Sequence, residues 1–123
     1  MTMLASFLLV GLGGFIGAVL RFFISQYAKK KRTSRFPAAT FFVNTTGSFW
    51  LGLLTGLNVS SGILLFLGTG VLGAFTTFST FKLESIQLQK DRLRKTLVIY
   101  TVLSYAAGIV FALIGLYIGT LLK

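Results

Sequence analysis

The chain has 123 residues, 54% of them apolar, with 12 basic and only 2 acidic side chains and a net charge of +10. A soluble domain of this length needs a polar skin that so few charges do not supply, so the composition places the chain in a membrane. Cysteine and histidine are absent, which excludes disulfides, thiolate nucleophiles and the commonest transition-metal sites. The only carboxylates, Glu84 and Asp91, share one polar stretch after the third apolar segment, and an acid/base pair is hard to assemble from them; the chain does not read as an enzyme.

The pattern predicts an all-α protein: one integral membrane domain over residues 1–123, with spans at about 3–27, 38–57, 63–81 and 97–122. Each is near or above the ~20 helical residues that cross ~30 Å of hydrocarbon. The first lacks a basic n-region and a clear small-x-small cleavage site, so it is expected to be retained rather than removed as a signal peptide. It carries a face of small residues, Gly11, Gly13, Gly14, Gly17 and Ala18. Gly13/Gly17, Gly52/Gly56 and Gly115/Gly119 form GxxxG pairs that predict close helix packing, either within one bundle or between chains. So many small residues suit an assembly larger than one chain. Arg21, at the end of this helix, either snorkels to the interface or guards an anion entrance.

Lys29, Lys30, Lys31, Arg32 and Arg35 fill the first loop, and Lys90, Arg92, Arg94 and Lys95 the third. The second loop, Asn58 to Gly62, has no charge, and the C-terminus adds only Lys123. The positive-inside rule then puts loops one and three in the cytoplasm and both termini outside, in a multi-pass protein of the cell membrane. These basic runs read as topology signals and contacts to anionic lipid in the bilayer, not as a nucleic-acid surface, which would want interleaved aromatics.

Pro37 suits the first turn of the second helix. Thr40, Asn44 and Ser48 follow at i, i+4 and i+8 and make one polar stripe; Asn44 is either interhelical glue or a donor to an anion. Asn44-Thr45-Thr46 matches a glycosylation sequon, at a membrane depth that excludes the modification.

In the third segment Gly68, Gly70 and Gly73 spell G-x-G-x-x-G, but no strand-helix-strand context surrounds them and no acidic residue follows at the ribose-binding distance, so a dinucleotide site is rejected. The glycines instead weaken the helix ahead of Phe75-Thr76-Thr77-Phe78-Ser79-Thr80-Phe81. A break there exposes carbonyls that suit a hard cation and N–H groups that suit an anion, in a place hydrocarbon tolerates only if it faces protein or water. Phe75, Phe78 and Phe81 recur every three residues, a spacing that puts them on one helical face as core. On the fourth helix Tyr100, Ser104, Gly108 and Ala112 stand one turn apart, either as a track or as a packing groove.

Three pieces occur in order: Gly13-Gly14-Phe15-Ile16-Gly17-Ala18 with Arg21; Phe36-Pro37-Ala38-Ala39-Thr40 leading to Asn44 and Gly47-Ser48; and Gly73-Ala74-Phe75-Thr76-Thr77-Phe78-Ser79-Thr80-Phe81. Together they make the chain resemble the Fluc/CrcB fluoride channel family over nearly its whole length. The resemblance implies an antiparallel dimer of four-helix chains with a broken third helix, passive export of cytoplasmic fluoride that protects against its toxicity, and a structural Na+ at the dimer centre. By position it implies that Gly73 and Thr76 offer carbonyls to Na+. Phe78 and Phe81 become pore phenylalanines, a reversal of the core reading, with Asn44, Ser79 and Thr80 as the polar groups beside them. Tyr100 and Ser104 match the family's fourth-helix track, whereas Gly108 and Ala112 stand where hydroxyls are expected. The one-sided Lys/Arg distribution further suggests insertion in one orientation, so the partner is either a second copy or an oppositely oriented paralogue. Two other functions stay open. One is the non-conducting half of a heterodimeric channel or a regulatory subunit. The other, a proton-coupled exporter, is disfavoured because the spans hold no carboxylate.

Overall fold

The computed structural model describes residues 2–31 and 35–123, so Arg32 of the basic first loop lies outside the described residues. Among them the chain is helical throughout, in the order α1 (Met3–Lys31), α2 (Ala38–Leu57), α3 (Ser61–Ile63), a π-helical segment (Leu64–Leu72), α4 (Gly73–Phe75), α5 (Phe78–Lys90) and α6 (Arg94–Leu122). Three stretches are long and apolar enough to cross a membrane: Met3–Lys31, Ser61–Lys90 and Arg94–Leu122. The 20-residue α2 is not among them, because its threonines, Asn44 and Ser48 dilute the apolar residues.

α2 is closed by Asn58 in the left-handed region (φ 56°), where the side-chain amide lowers the cost of a positive φ and the Asn58 N–H bonds the Thr55 carbonyl. Ser60 then caps the next helix through the N–H of Ile63. In the segment that follows, the Gly73 N–H reaches back to the Gly68 carbonyl, five residues away. Gly68 and Gly70 occupy this widened turn, where a missing side chain lets a neighbour press close.

The helices associate as two parallel pairs. A Cβ on Gly13 would overlap the carbonyl oxygen of Phe66, and one on Gly17 that of Val71, so α1 lies backbone to backbone along the π-helical segment. Gly52 stands in the same way against Ala112 and Gly115 against Phe49, which locks α2 along α6. All three GxxxG pairs are therefore consumed inside the chain: Gly13/Gly17 by the π-helical segment, and Gly52/Gly56 and Gly115/Gly119 by each other. The rest of the small-residue face of α1 is not consumed: a Cβ on Gly11 would meet nothing within 4 Å and one on Gly14 only the Gly70 carbonyl at 4.0 Å. α2 runs antiparallel to the third segment, with Asn44 beside Thr77 and Gly47 beside Thr76.

Few large side chains are buried. Phe81, Leu88 and Tyr100 form a cluster between α5 and α6, with Phe36, Phe41, Leu93 and Leu97 packed against it. Most of the outer face is apolar and open, from Phe7, Phe15 and Phe22 on α1 to Val102, Ile109 and Tyr117 on α6. A surface of this extent belongs in lipid or against another chain. At one end Arg35 of the first loop forms an ion pair with Asp91 of the third, and the Gln87 amide donates to the same carboxylate at 3.1 Å. Loops one and three thus share an end of the molecule.

Candidate functional site

The third helix breaks at two threonines. α4 ends at Phe75, after which Thr76 (φ −78°, ψ 155°) and Thr77 (φ −150°, ψ 115°) are extended before α5 begins. An extended residue inside a helix bundle strands its backbone N–H and C=O, and here Asn44 of α2 satisfies both. The Thr77 N–H donates to Asn44 Oδ1 at 2.8 Å, and Asn44 Nδ2 donates to the Thr77 carbonyl at 3.0 Å. The amide imitates a neighbouring β-strand. Its interhelical role is thereby established, with one amide N–H committed to Thr77 and the second without a partner among the described residues. Thr77 also starts α5: its Oγ1 accepts from the Thr80 N–H at 3.2 Å and donates to Thr80 Oγ1 at 3.0 Å.

These caps release two carbonyls. In a continuous helix the Thr77 N–H would bond the Gly73 carbonyl and the Thr80 N–H that of Thr76. The first goes to Asn44 and the second to Thr77 Oγ1, so the Gly73 and Thr76 oxygens lose their helical donors. Thr76 Oγ1 turns away to the Leu72 carbonyl at 2.9 Å. Both residues border an open groove of about 480 Å³ that also takes in Asn44, Phe78, Ser104 and Gly108.

The break splits the three phenylalanines, which a continuous helix would have aligned. Phe75 is 8% exposed and belongs to the interior, whereas Phe78, beyond two extended residues, is 62% exposed on the groove. Phe81 is 4% exposed, yet its ring also borders the groove, 5.8 Å from Phe78. Beneath it lies Tyr100, fully buried, with ring centroids 5.0 Å apart and the phenol donating to Glu84 Oε1 at 3.2 Å. Tyr100 is thus a core residue that supports Phe81. One turn along α6, the Ser104 hydroxyl is buried on the groove wall with no hydrogen-bond partner among the described residues. An orphaned hydroxyl is costly unless something polar comes to it.

Ser79, Thr80 and Arg21 lie apart from this groove. Ser79 is exposed on the first turn of α5, 3.4 Å from Thr77 Oγ1. Thr80 and Thr77 face a separate cleft of about 270 Å³ that contains Arg21 and Lys29. Gly108 leaves space: a Cβ there would meet only Ser48 Oγ, at 3.7 Å. The structure also shows what the sequence reading passed over. The Lys82 ammonium sits 5.5 Å from the Phe78 ring centre and 5.9 Å from that of Phe81. Its i+4 spacing from Phe78 was the available signal.

Residues 8–116 match the family model described as CrcB-like protein, Camphor Resistance (CrcB). A Bacillus thuringiensis protein named "Fluoride-specific ion channel FluC 2" is 51% identical over 112 residues, covering 91% of this chain and 95% of its own. "Fluoride-specific ion channel FluC 1" of Listeria innocua is 48% identical over 117 residues, 95% of this chain and 99% of that one. Its namesake in Geobacillus kaustophilus is 43% identical over 112 residues, 91% and 96% of the two chains. These relatives are named as ion channels, in line with a chain whose carboxylates assemble no acid/base pair. Matched from its first long helix into its last, and at about half of its positions in the relatives from Bacillus and Listeria, the chain belongs to the CrcB family.

Proposed function

We propose that the chain forms a fluoride-selective channel through which fluoride leaves the cytoplasm passively, and that it works as an antiparallel dimer. The observation that carries this reading is the buried Ser104 hydroxyl, without a hydrogen-bond partner among the described residues, in a groove floored by a helix break and walled by Phe78 and Phe81. Fluoride is small and strongly hydrated, so a path must replace its water with donors. The Ser104 hydroxyl and the uncommitted amide hydrogen of Asn44 supply them, and phenyl edges, the positive part of the ring quadrupole, add a weaker attraction. An open groove with a 62% exposed phenylalanine needs a second wall, which a partner chain would supply. In this arrangement α2 serves as the fourth span.

The Gly73 and Thr76 carbonyls fit a hard cation such as Na+, since they are neutral oxygens freed from helical donors. One chain offers two, and an antiparallel copy of the break would offer two more. Such a cation would raise the local potential for anions without a lysine in the bore.

The Arg35–Asp91 contact gathers the basic loops at one end and so supports a single orientation, N-out and C-out, beside an oppositely oriented paralogue. The test is halide efflux from liposomes with this chain alone and then with such a relative. Fluoride release without chloride release supports the channel. Release only from the pair makes this chain half of a heterodimer, and no release from either makes it a regulatory subunit.

A further inference from the structure

We propose that Lys82 is a positioning residue for the anion-facing rings: its ammonium occupies the faces of Phe78 and Phe81 and so leaves, and polarises, their edges for the passing anion. The inference rests on the channel reading and deepens it by adding a cation that touches no permeating ion.

The two residues that wall the groove, Phe78 and Phe81, lie 5.8 Å apart with ring planes inclined by 37°. Lys82 follows Phe81 directly and is one turn beyond Phe78, which brings one ammonium within 5.5 Å and 5.9 Å of the two ring centres. Among the described residues Lys82 makes no ion pair, and the nearest carboxylate along α5, Glu84, accepts the Tyr100 hydroxyl instead. The rings are therefore the ammonium's specific partners. A phenyl ring is negative on its faces and positive at its edge, so a cation and an anion do not compete for it. A cation on the face draws electron density inward and leaves the edge hydrogens more positive. It also restrains χ1 and χ2 of Phe78, whose ring is 62% exposed. Arg21 does not take this place, because it lines the separate cleft beside Thr80 and Lys29, not the groove walled by Phe78 and Phe81.

The test is fluoride efflux from liposomes, with the wild type, Lys82→Met and Lys82→Arg each reconstituted beside the same partner, at low ionic strength and in ~1 M impermeant salt. Methionine keeps the apolar stem and removes the charge, while arginine keeps a cation able to stack. Lys82→Met is expected to release fluoride about two- to fivefold more slowly, the ratio equivalent to an exposed cation–π contact. Lys82→Arg is expected to stay within about twofold of wild type, and the methionine deficit to persist in high salt because ring and cation touch. An unchanged Lys82→Met rate overturns the inference. So does a deficit that vanishes in salt, which would assign Lys82 to diffuse surface charge, or an arginine variant as slow as methionine. A wild-type protein that passes no fluoride removes the channel reading and this inference together, whereas a conducting wild type with an unaffected methionine variant removes the inference alone.

Discussion

Replacing Asn44 by alanine removes both hydrogen bonds that hold Thr77, at 2.8 and 3.0 Å. Thr77 is 8% exposed, so its N–H and C=O lose their partners out of reach of bulk water. Each stranded group costs about 1–3 kcal/mol in a buried site, though side-chain hydrogen bonds within membranes average only ~0.6 kcal/mol. One of the two can be recovered if Thr76 turns to helical ψ, which returns the Thr77 N–H to the Gly73 carbonyl and closes the break. The expected loss is therefore about 2 kcal/mol, with fluoride efflux reduced at least tenfold because the groove floor has changed shape. Thermal unfolding in detergent read beside liposome efflux checks both numbers. Asn44→Ala that unfolds at the wild-type temperature would refute the bridging role, whatever its efflux.

Phe78→Ile should cut efflux severalfold and leave the unfolding temperature nearly unchanged, because the ring is 62% exposed and packs little interior; a large loss of stability would show that it is core. Ser104→Ala should slow fluoride release at no cost in stability, since it removes a buried hydroxyl that has no partner among the described residues; unchanged release would take Ser104 off the path. Gly17→Ala should destabilise by at least ~2 kcal/mol, as the new Cβ overlaps the Val71 carbonyl, and a wild-type denaturation midpoint would contradict the backbone contact. Single cysteines in loops one and two of intact cells should label from opposite sides; equal labelling of both loops from both sides would end the single-orientation proposal.

Three of the four expected spans were legible in the sequence because hydropathy is a sum over neighbours, and the break because glycines and threonines weaken a helix locally. What depended on distant partners was not. Asn44 could be glue or an anion donor until its contact 33 residues away was visible. The three GxxxG pairs announced close packing without naming the other helix, and it proved to lie within the same chain. Period-three spacing aligned Phe75 with Phe78 only if the helix continued, and the extended threonines between them send one inward and the other out. Lys82, one residue past the predicted third span, went unremarked because α5 carries on to Lys90.

Backbone contact at the glycine seams separates two kinds of tolerance to change. Gly13, Gly17, Gly52 and Gly115 cannot gain even a methyl without moving a neighbouring main chain, whereas Gly108 on the groove has room for a side chain. Substitutions in the seams put the fold at risk, and so do those at Asn44 or Gly47 on the groove, whereas Gly108 can change without moving a main chain. On the proposed reading, a lineage could therefore retune the path at Gly108 at little cost to folding, whereas the seams that hold the groove in shape would stay fixed.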